Sequence, residues 1–278
     1  MRIIAAQAVA DAVREACIAA GIIGGKDLIA ALEKARGLEE SDAGRMALDK
    51  LLDNLRIARE QNIPICQDTG LAVFFVERGE EVAVEGGLVE AINQGVRRGY
   101  ADGYLRKSTC HPLTRKNLGD NTPAVIHTES VPGDKLTIHL MAKGGGSENM
   151  SAVAMLKPAQ GWAGIREFVV STVGKAGSNP CPPIIVGLGI GGNFELAAIN
   201  SKKALLRPLG EPNPDPDLAA KENELLAEIN KLGIGPQGYG GRITALGVSI
   251  ISRPCHIASL PVAVNIQCHA SRHRTISL

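Results

Sequence analysis

The sequence predicts a mixed α+β fold: a helical N-terminal segment over about residues 1–62, then mixed sheets flanked by helices over about residues 63–278. Two observations carry this. In the first sixty residues the apolar positions repeat at helical spacing, whereas from Ile63 they gather into short runs punctuated by glycine and proline. Helix-period stretches then return between those runs, so strands and helices share the second part. The whole chain, 1–278, is expected to form one domain, with any metal group held by loops at strand ends.

Taken in order, Val9, Val13, Ala16, Cys17 and Ala20 share one face of a first helix, which Gly21 and Gly24-Gly25 separate from the next. Leu48, Leu51, Leu52 and Leu55 mark a later helix. Runs at 71–76, 124–127, 136–141, 184–190, 243–251 and 262–266 predict strands. Between them, helices are predicted around 88–96 and 162–173. Another starts where Asp215 can cap a helix that has Pro216 in its first turn. Four prolines in 207–217 predict a surface loop. No internal repeat stands out, and strand order is not readable from the pattern.

Composition narrows the function. Thirty basic against 29 acidic residues give a net charge of +1, which argues against a broad grip on nucleic acid or an anionic membrane. Aromatics make up only 3%, too few for a base-stacking platform. No apolar run approaches the roughly 20 residues of a membrane span, and Asp11, Arg14 and Glu15 interrupt any signal-like apolar stretch near the N-terminus. The expected location is the cytoplasm, where the six cysteines should be reduced. No CxxC pair exists, so neither a zinc ribbon nor a thioredoxin-like motif is signalled.

Three cysteines stand in unusual settings. Cys66 lies in Ile65-Cys66-Gln67-Asp68-Thr69-Gly70, which packs a soft ligand, an amide, a carboxylate and a hydroxyl together ahead of a strand. Cys181 lies in Asn179-Pro180-Cys181-Pro182-Pro183, a loop stiffened by prolines, and Cys268 follows a predicted strand and precedes His269, Ser271, Arg272 and His273. Cys17 falls on the apolar face of a helix and reads as a core residue. Cys110 and Cys255 are open either way. Singly, each cysteine reads more readily as structural; together the three suit iron–sulfur chemistry, in which three thiolates leave one iron of a four-iron cluster open as a Lewis acid.

Glycine-rich segments add less. Lys143-Gly144-Gly145-Gly146 can form a turn or an anion nest with the lysine's charge. Gly187, Gly189, Gly191 and Gly192 resemble a dinucleotide loop only weakly, since GLGIGG departs from GxGxxG.

Over nearly its full length the chain resembles the alpha subunit of class I, iron–sulfur-dependent, fumarate hydratases and the related L-tartrate dehydratases. The segments that carry the resemblance are ICQDTG, GYLRKS, NLGDNTPA, KGGGSEN, NPCPP with GLGIGGN, SKKALLRP, GIGPQGYGG and PCHIASLPVAVNIQCHASRH. The resemblance implies that Cys66, Cys181 and Cys268 hold a [4Fe-4S] cluster and that Gln67, Asp68, Arg106, Gly145 and His256 line a dicarboxylate site. Asp68 and His256 are the implied proton-handling groups; the bland alternatives are a core-satisfied His256 and an ordinary surface Arg106. It also implies a separate beta subunit completing the active site, with a further carbon base, and a higher-order oligomer. The expected reaction is reversible hydration of fumarate to L-malate, with L-tartrate dehydration as the alternative and an electron-transfer, iron-sensing or non-catalytic protein as readings from other classes. Tyr239-Gly240-Gly241-Arg242 departs from the smaller, Thr-rich stretch expected of the family.

Overall fold

The computed structural model describes all residues, 1–278, and its class is α+β. In chain order the first elements are β1 (Arg2–Ile4), α1 (Ala6–Ile22), α2 (Lys26–Leu38), α3 (Asp42–Gln61), β2 (Leu71–Gly79), β3 (Val82–Val84), α4 (Leu88–Asp102), β4 (Val125–Val131) and β5 (Leu136–Lys143). They are followed by α5 (Gly145–Glu148), β6 (Ala152–Leu156), α6 (Gly161–Ala176), β7 (Ile184–Gly192), α7 (Phe194–Ala204), α8 (Pro216–Asn230), β8 (Ala245–Cys255), β9 (Leu260–Gln267) and β10 (His273–Ser277). The chain divides into two compact units, each built from separate stretches: Met1–Gly25, Asn54–Gly145 and Ala270–Leu278 in the first, Lys26–Asp53 and Gly146–His269 in the second. The helical N-terminal stretch is thereby shared: α1 belongs to the first unit, α2 to the second, and the division falls inside α3.

The first unit is built on a four-stranded sheet of order β10-β5-β2-β4, in which β2 is antiparallel to β5 and parallel to β4. Phe74, Val76, Leu136, Ile138 and Leu140 from this sheet form one core with Val9 and Val13 of α1 and Ile92 and Val96 of α4. The two helices lie close because α4 presents glycines to α1: a β-carbon at Gly95 would stand 2.6 Å from the Ala10 carbonyl oxygen. The N-terminus does not start as helix. β1 pairs in parallel with β3, a three-residue pairing too short and too distant in sequence to leave a periodic signal.

The second unit holds the sheet β6-β9-β7-β8, with β9 antiparallel to β6 and β7, and β8 parallel to β7. Its core joins Val186, Leu188, Ile250, Val262, Val264 and Ile266 to Val169 and Val173 of α6 and Leu225 and Ile229 of α8. Asp215 caps α8 as expected, its side chain accepting from the backbone N–H groups of Asp217 and Leu218. The glycines of β7 have a packing role rather than a nucleotide-binding one. A β-carbon at Gly187 or Gly189 would collide with the backbone carbonyls of Ser201 or Ala197, so their absence lets α7 lie directly on the strand. The proline-rich 207–217 loop is not wholly superficial: Asn213 is buried, and its amide donates to Glu222 at 2.7 Å and to the Ile250 carbonyl at 3.1 Å.

Candidate active site

The 66–70 turn of the first unit is fastened by side chains from distant parts of that unit. The Asn54 amide donates to the Ile65 carbonyl at 2.9 Å, just before the turn. Thr69, buried, donates its hydroxyl to the Arg106 carbonyl at 3.0 Å, which ties the turn to the segment carrying Arg106. The buried Tyr100 hydroxyl reaches the carbonyls of Thr69 and Gly70, at 3.2 and 3.0 Å, and the Asn121 amide also donates to Gly70, at 3.2 Å. Burial holds the Tyr100 phenol well above its ordinary pKa, so it acts here as a neutral donor. Gly70 has φ +80°, and a β-carbon there would lie 2.8 Å from the backbone of Ala142 and Lys143, so both conformation and space call for glycine.

Within this frame Asp68 is half-buried. One carboxylate oxygen accepts from the Gly70 N–H at 3.0 Å, the other from the Gly145 N–H at 2.7 Å. The sequence places Asp68 and Gly145 far apart; the fold puts them in contact. The glycine run is therefore no open anion nest at Gly145, because the chain's own carboxylate takes that N–H, and Lys143 is buried. Gln67 and Arg106 are exposed, and Arg106 takes part in no ion pair. The half-buried Cys66 thiol lies 3.3 Å from the Gln67 amide oxygen.

One residue of this region was named in the sequence only as a neighbour of Cys268. Arg272, 1% exposed, donates through Nη1 to the Asp68 carbonyl oxygen. Only its position in the CHASRH segment could have flagged it, since nothing in the local pattern shows that an arginine there is buried.

Cys181 and Cys268 belong to the second unit, and their loops meet through His269. The Nδ1 atom of that ring lies 2.9 Å from the Cys181 carbonyl oxygen and 3.1 Å from the Gln237 amide nitrogen; the tautomer protonated at Nδ1 donates to the carbonyl. Gln237 also donates to Pro182, through its backbone N–H and its side-chain amide, each at 2.7 Å. Cys181 is exposed and adopts φ +54°, a conformation that costs a non-glycine residue of order 1 kcal/mol or more and persists because the flanking prolines and these bonds enforce it. Cys268 is half-buried just past β9. In the sequence Gln237 had no assigned role, nor had His269 beyond its place after Cys268.

His256 lies in the second unit, in the link between β8 and β9. It is exposed, its Nδ1 accepts from the Ala258 N–H at 3.1 Å, and it borders a hollow of about 450 Å³ together with Trp162 and Lys221. It is not core-satisfied. The divergent 239–242 stretch has a structural use. The buried Glu39 carboxylate accepts from the backbone N–H groups of Glu40, Ser41, Arg242 and Ile243, and a β-carbon at Gly241 would stand 2.5 Å from it. Burial alone would raise the Glu39 pKa, but these four donors hold it below the ordinary carboxylate value.

None of the six cysteines is in a disulfide. Within neither unit do three His, Cys, Asp or Glu side chains gather into a metal-sized group. The chemistry of the donor set fits an iron–sulfur cluster: the thiols of Cys66, Cys181 and Cys268 are partly or fully open to solvent, Cys66 and Cys181 on turns held by hydrogen bonds or prolines and Cys268 just past β9. Cys17, by contrast, is wholly buried, and burial pushes its thiol up to about 12, which suits a core residue and not a thiolate ligand.

Comparison with known proteins decides the family, because the model of the family described as fumarate hydratase (fumerase) matches residues 10–277. The chain belongs to the fumarate hydratase (fumerase) family. It is 43% identical over 271 residues to the protein named "Putative L(+)-tartrate dehydratase subunit alpha" of Methanocaldococcus jannaschii, covering 95% of each chain. It is 34% identical over 254 residues to the L(+)-tartrate dehydratase subunit alpha of Escherichia coli K12, covering 90% of this chain and 84% of the relative. As a member of the fumarate hydratase family with these dehydratase relatives, the chain is a hydro-lyase. No helix is long and apolar enough to cross a membrane.

Proposed function

We propose that this chain is the alpha subunit of an iron–sulfur hydro-lyase that removes water from L(+)-tartrate. The observation that carries the choice of substrate is the naming of relatives that align over nearly the whole chain, which favours tartrate over the fumarate expected from the sequence. The family description supports the second reading, reversible hydration of fumarate to L-malate. Both reactions move a hydroxyl and a proton on neighbouring carbons of a four-carbon dicarboxylate.

In this reading Cys66, Cys181 and Cys268 hold a [4Fe-4S] cluster. When bound, the cluster supplies an open iron site that acts as a Lewis acid toward the departing hydroxyl. Arg106 meets a substrate carboxylate with its forked donors, and Gln67 offers an amide beside it. Gly145, lacking a side chain, lets the substrate lie against the backbone. Asp68, its carboxylate fixed by the Gly70 and Gly145 amides, handles a proton at the hydroxyl oxygen, and His256 supplies hydrogen bonding or acid–base support. A separate beta subunit, implied by the relatives' alpha-subunit names, contributes the carbon base. Asp68, Arg106 and His256 together weigh against a purely electron-transfer, iron-sensing or non-catalytic role.

The test is an anaerobic assay of the cluster-loaded chain, with and without its beta subunit, against L(+)-tartrate, fumarate and L-malate. The assembled enzyme should favour tartrate by at least about tenfold in kcat/KM, and the chain alone should be nearly inactive. Preference for fumarate or malate would install the second reading. Full turnover by the isolated chain would remove the beta subunit from the chemistry, and no turnover of any of the three by the assembled enzyme would defeat both readings.

A further inference from the structure

The segment between α4 and β4 is an arm that holds its own shape. The Asn121 side-chain oxygen accepts from the backbone N–H groups of Ser108 and Thr109, at 2.7 and 3.2 Å, and the Asn117 amide donates to the Lys107 carbonyl at 2.8 Å. Farther out, the Leu118 N–H donates to the Thr109 carbonyl and the His111 N–H to the Lys116 carbonyl, while His111 Nδ1 accepts from the N–H groups of Leu113 and Thr114. What this braced arm presents is unusual. Met1 aside, the most exposed large apolar side chains are Ile257 at 92%, Tyr104 at 90% and Leu113 at 86%; the next, Ile3, is at 69%. Exposed apolar residues scattered singly are ordinary, but these three are not scattered. Tyr104 precedes Arg106 by two residues, within about 7 Å along the chain. Leu113 is on the same arm, and Ile257 follows His256. Tyr104 also has φ +53°, a left-handed conformation that disfavours a bulky residue, and its ring gains no cover from the fold. The arm is cationic as well. Residues 103–119 hold Arg106, Lys107, Arg115 and Lys116 and no acidic residue, a charge of +4 in a chain of net +1, and none of the four makes an ion pair.

We propose that the 103–119 arm is the docking element for the beta subunit, with Tyr104 and Leu113 as apolar anchors and Arg115 and Lys116 as a cationic rim that meets an acidic surface on that partner. The proposal rests on the partner invoked under Proposed function and adds where it seats. A subunit that brings a carbon base to a substrate held by Arg106 has to pass over the side chain two residues away, so covering Tyr104 is part of closing the site. Burial of two large apolar side chains drives the association. The single-signed rim steers and orients the encounter. Because the arm is already braced, little ordering is needed on binding. The bareness of Ile257 beside His256 favours the same partner over a second copy of this chain, since the barest apolar side chains accompany substrate residues in each unit.

The experiment titrates the cluster-loaded chain anaerobically with purified beta subunit. Binding is read by calorimetry, which needs no substrate, and kcat is read at saturating beta subunit. Tyr104→Ser combined with Leu113→Ser should raise the Kd for the beta subunit at least about thirtyfold and leave kcat at saturation within about twofold. The visible cluster spectrum and the melting temperature should not change, since both side chains are almost fully exposed in the chain. Arg115→Glu combined with Lys116→Glu should raise the Kd about tenfold at low salt and less at high salt. A Kd for the Tyr104→Ser, Leu113→Ser chain within about threefold of the unmutated value overturns the proposal. So does a fall in kcat at saturation with an unchanged Kd, which would put the arm in the chemistry. So does loss of self-association of the chain alone, read by sedimentation, with affinity for the beta subunit retained, which would give the arm to a second copy. If the unmutated chain does not bind the beta subunit, the partner in the reading under Proposed function fails first, and the docking role with it. If the unmutated enzyme assembles and turns over and both variants match it, only the role of the arm falls.

Discussion

The two turns that present predicted cluster ligands are made rigid in different ways. The 66–70 turn contains no proline and takes its shape from side chains far away in the sequence: Asn54, Tyr100, Asn121 and Arg272 all donate to its carbonyls or to the residue beside it. The turn around Cys181 carries its own stiffness, in prolines on both sides and a left-handed cysteine, with Gln237 and His269 closing it from outside. The first turn is therefore vulnerable to distant substitutions, and the second mainly to substitutions within itself.

The largest expected effect breaks the first turn at its centre. Asp68→Ala removes the acceptors of the Gly70 and Gly145 amides and the proposed proton-handling group, so kcat should fall by about a hundredfold or more in the assembled enzyme. Kinetics of Asp68→Ala within about threefold of the unmutated enzyme would take Asp68 out of the chemistry. Next comes Gly70→Ala, which forces both an unfavourable φ and a backbone collision and should cost about 1–3 kcal/mol in denaturant unfolding. Gly119→Ala, with φ +88° but open space around it, is the control that isolates the conformational part and should cost less. Equal losses at the two sites would mean that the packing of Gly70 against Ala142 and Lys143 contributes nothing.

Tyr100→Phe should cost about 1 kcal/mol, since it deletes the hydroxyl that serves two carbonyls and leaves the ring in place. The mildest signal is a pH slope in the second unit. The Glu39 carboxyl has a folded pKa below the ordinary value of 4.5, so its contribution is fully present above 4.5 and is lost as pH falls through the folded value. Glu39→Gln should accordingly lower the melting temperature by a constant amount from neutral pH down to about 5, with the gap closing below it. A gap that widens on acidification would show the sign to be wrong.

The same contrast explains what the sequence revealed. The 71–76, 136–141, 184–190 and 262–266 runs are all strands, because long apolar runs bounded by turn residues leave a strong local signature. β1, β3, β6 and β10 left none: they are three to five residues long, and their pairing partners lie elsewhere in the chain. Cys66, Cys181 and Cys268 could be picked out because their settings are locally odd. Arg272, Gln237 and His269 could not, since their roles exist only once the chain has brought Asp68, Pro182 and Cys181 to them. The glycines of β7 resemble a nucleotide loop only weakly, and the reason for them, a requirement set by α7, is likewise not local.

The central proposal is that Cys66 and Cys181, from two differently built turns, and Cys268, from the segment just past β9, hold one cluster. Iron and acid-labile sulfide, counted per chain after anaerobic reconstitution of the unmutated protein and of each single Cys→Ser variant, test it most directly. The unmutated chain should carry about four irons and four sulfides. Serine at 66, 181 or 268 should each abolish the intact cluster, and Cys17→Ser should retain it. Stoichiometric zinc without cluster absorption would contradict the account, as would a cluster that survives loss of one of the three but not loss of Cys110 or Cys255.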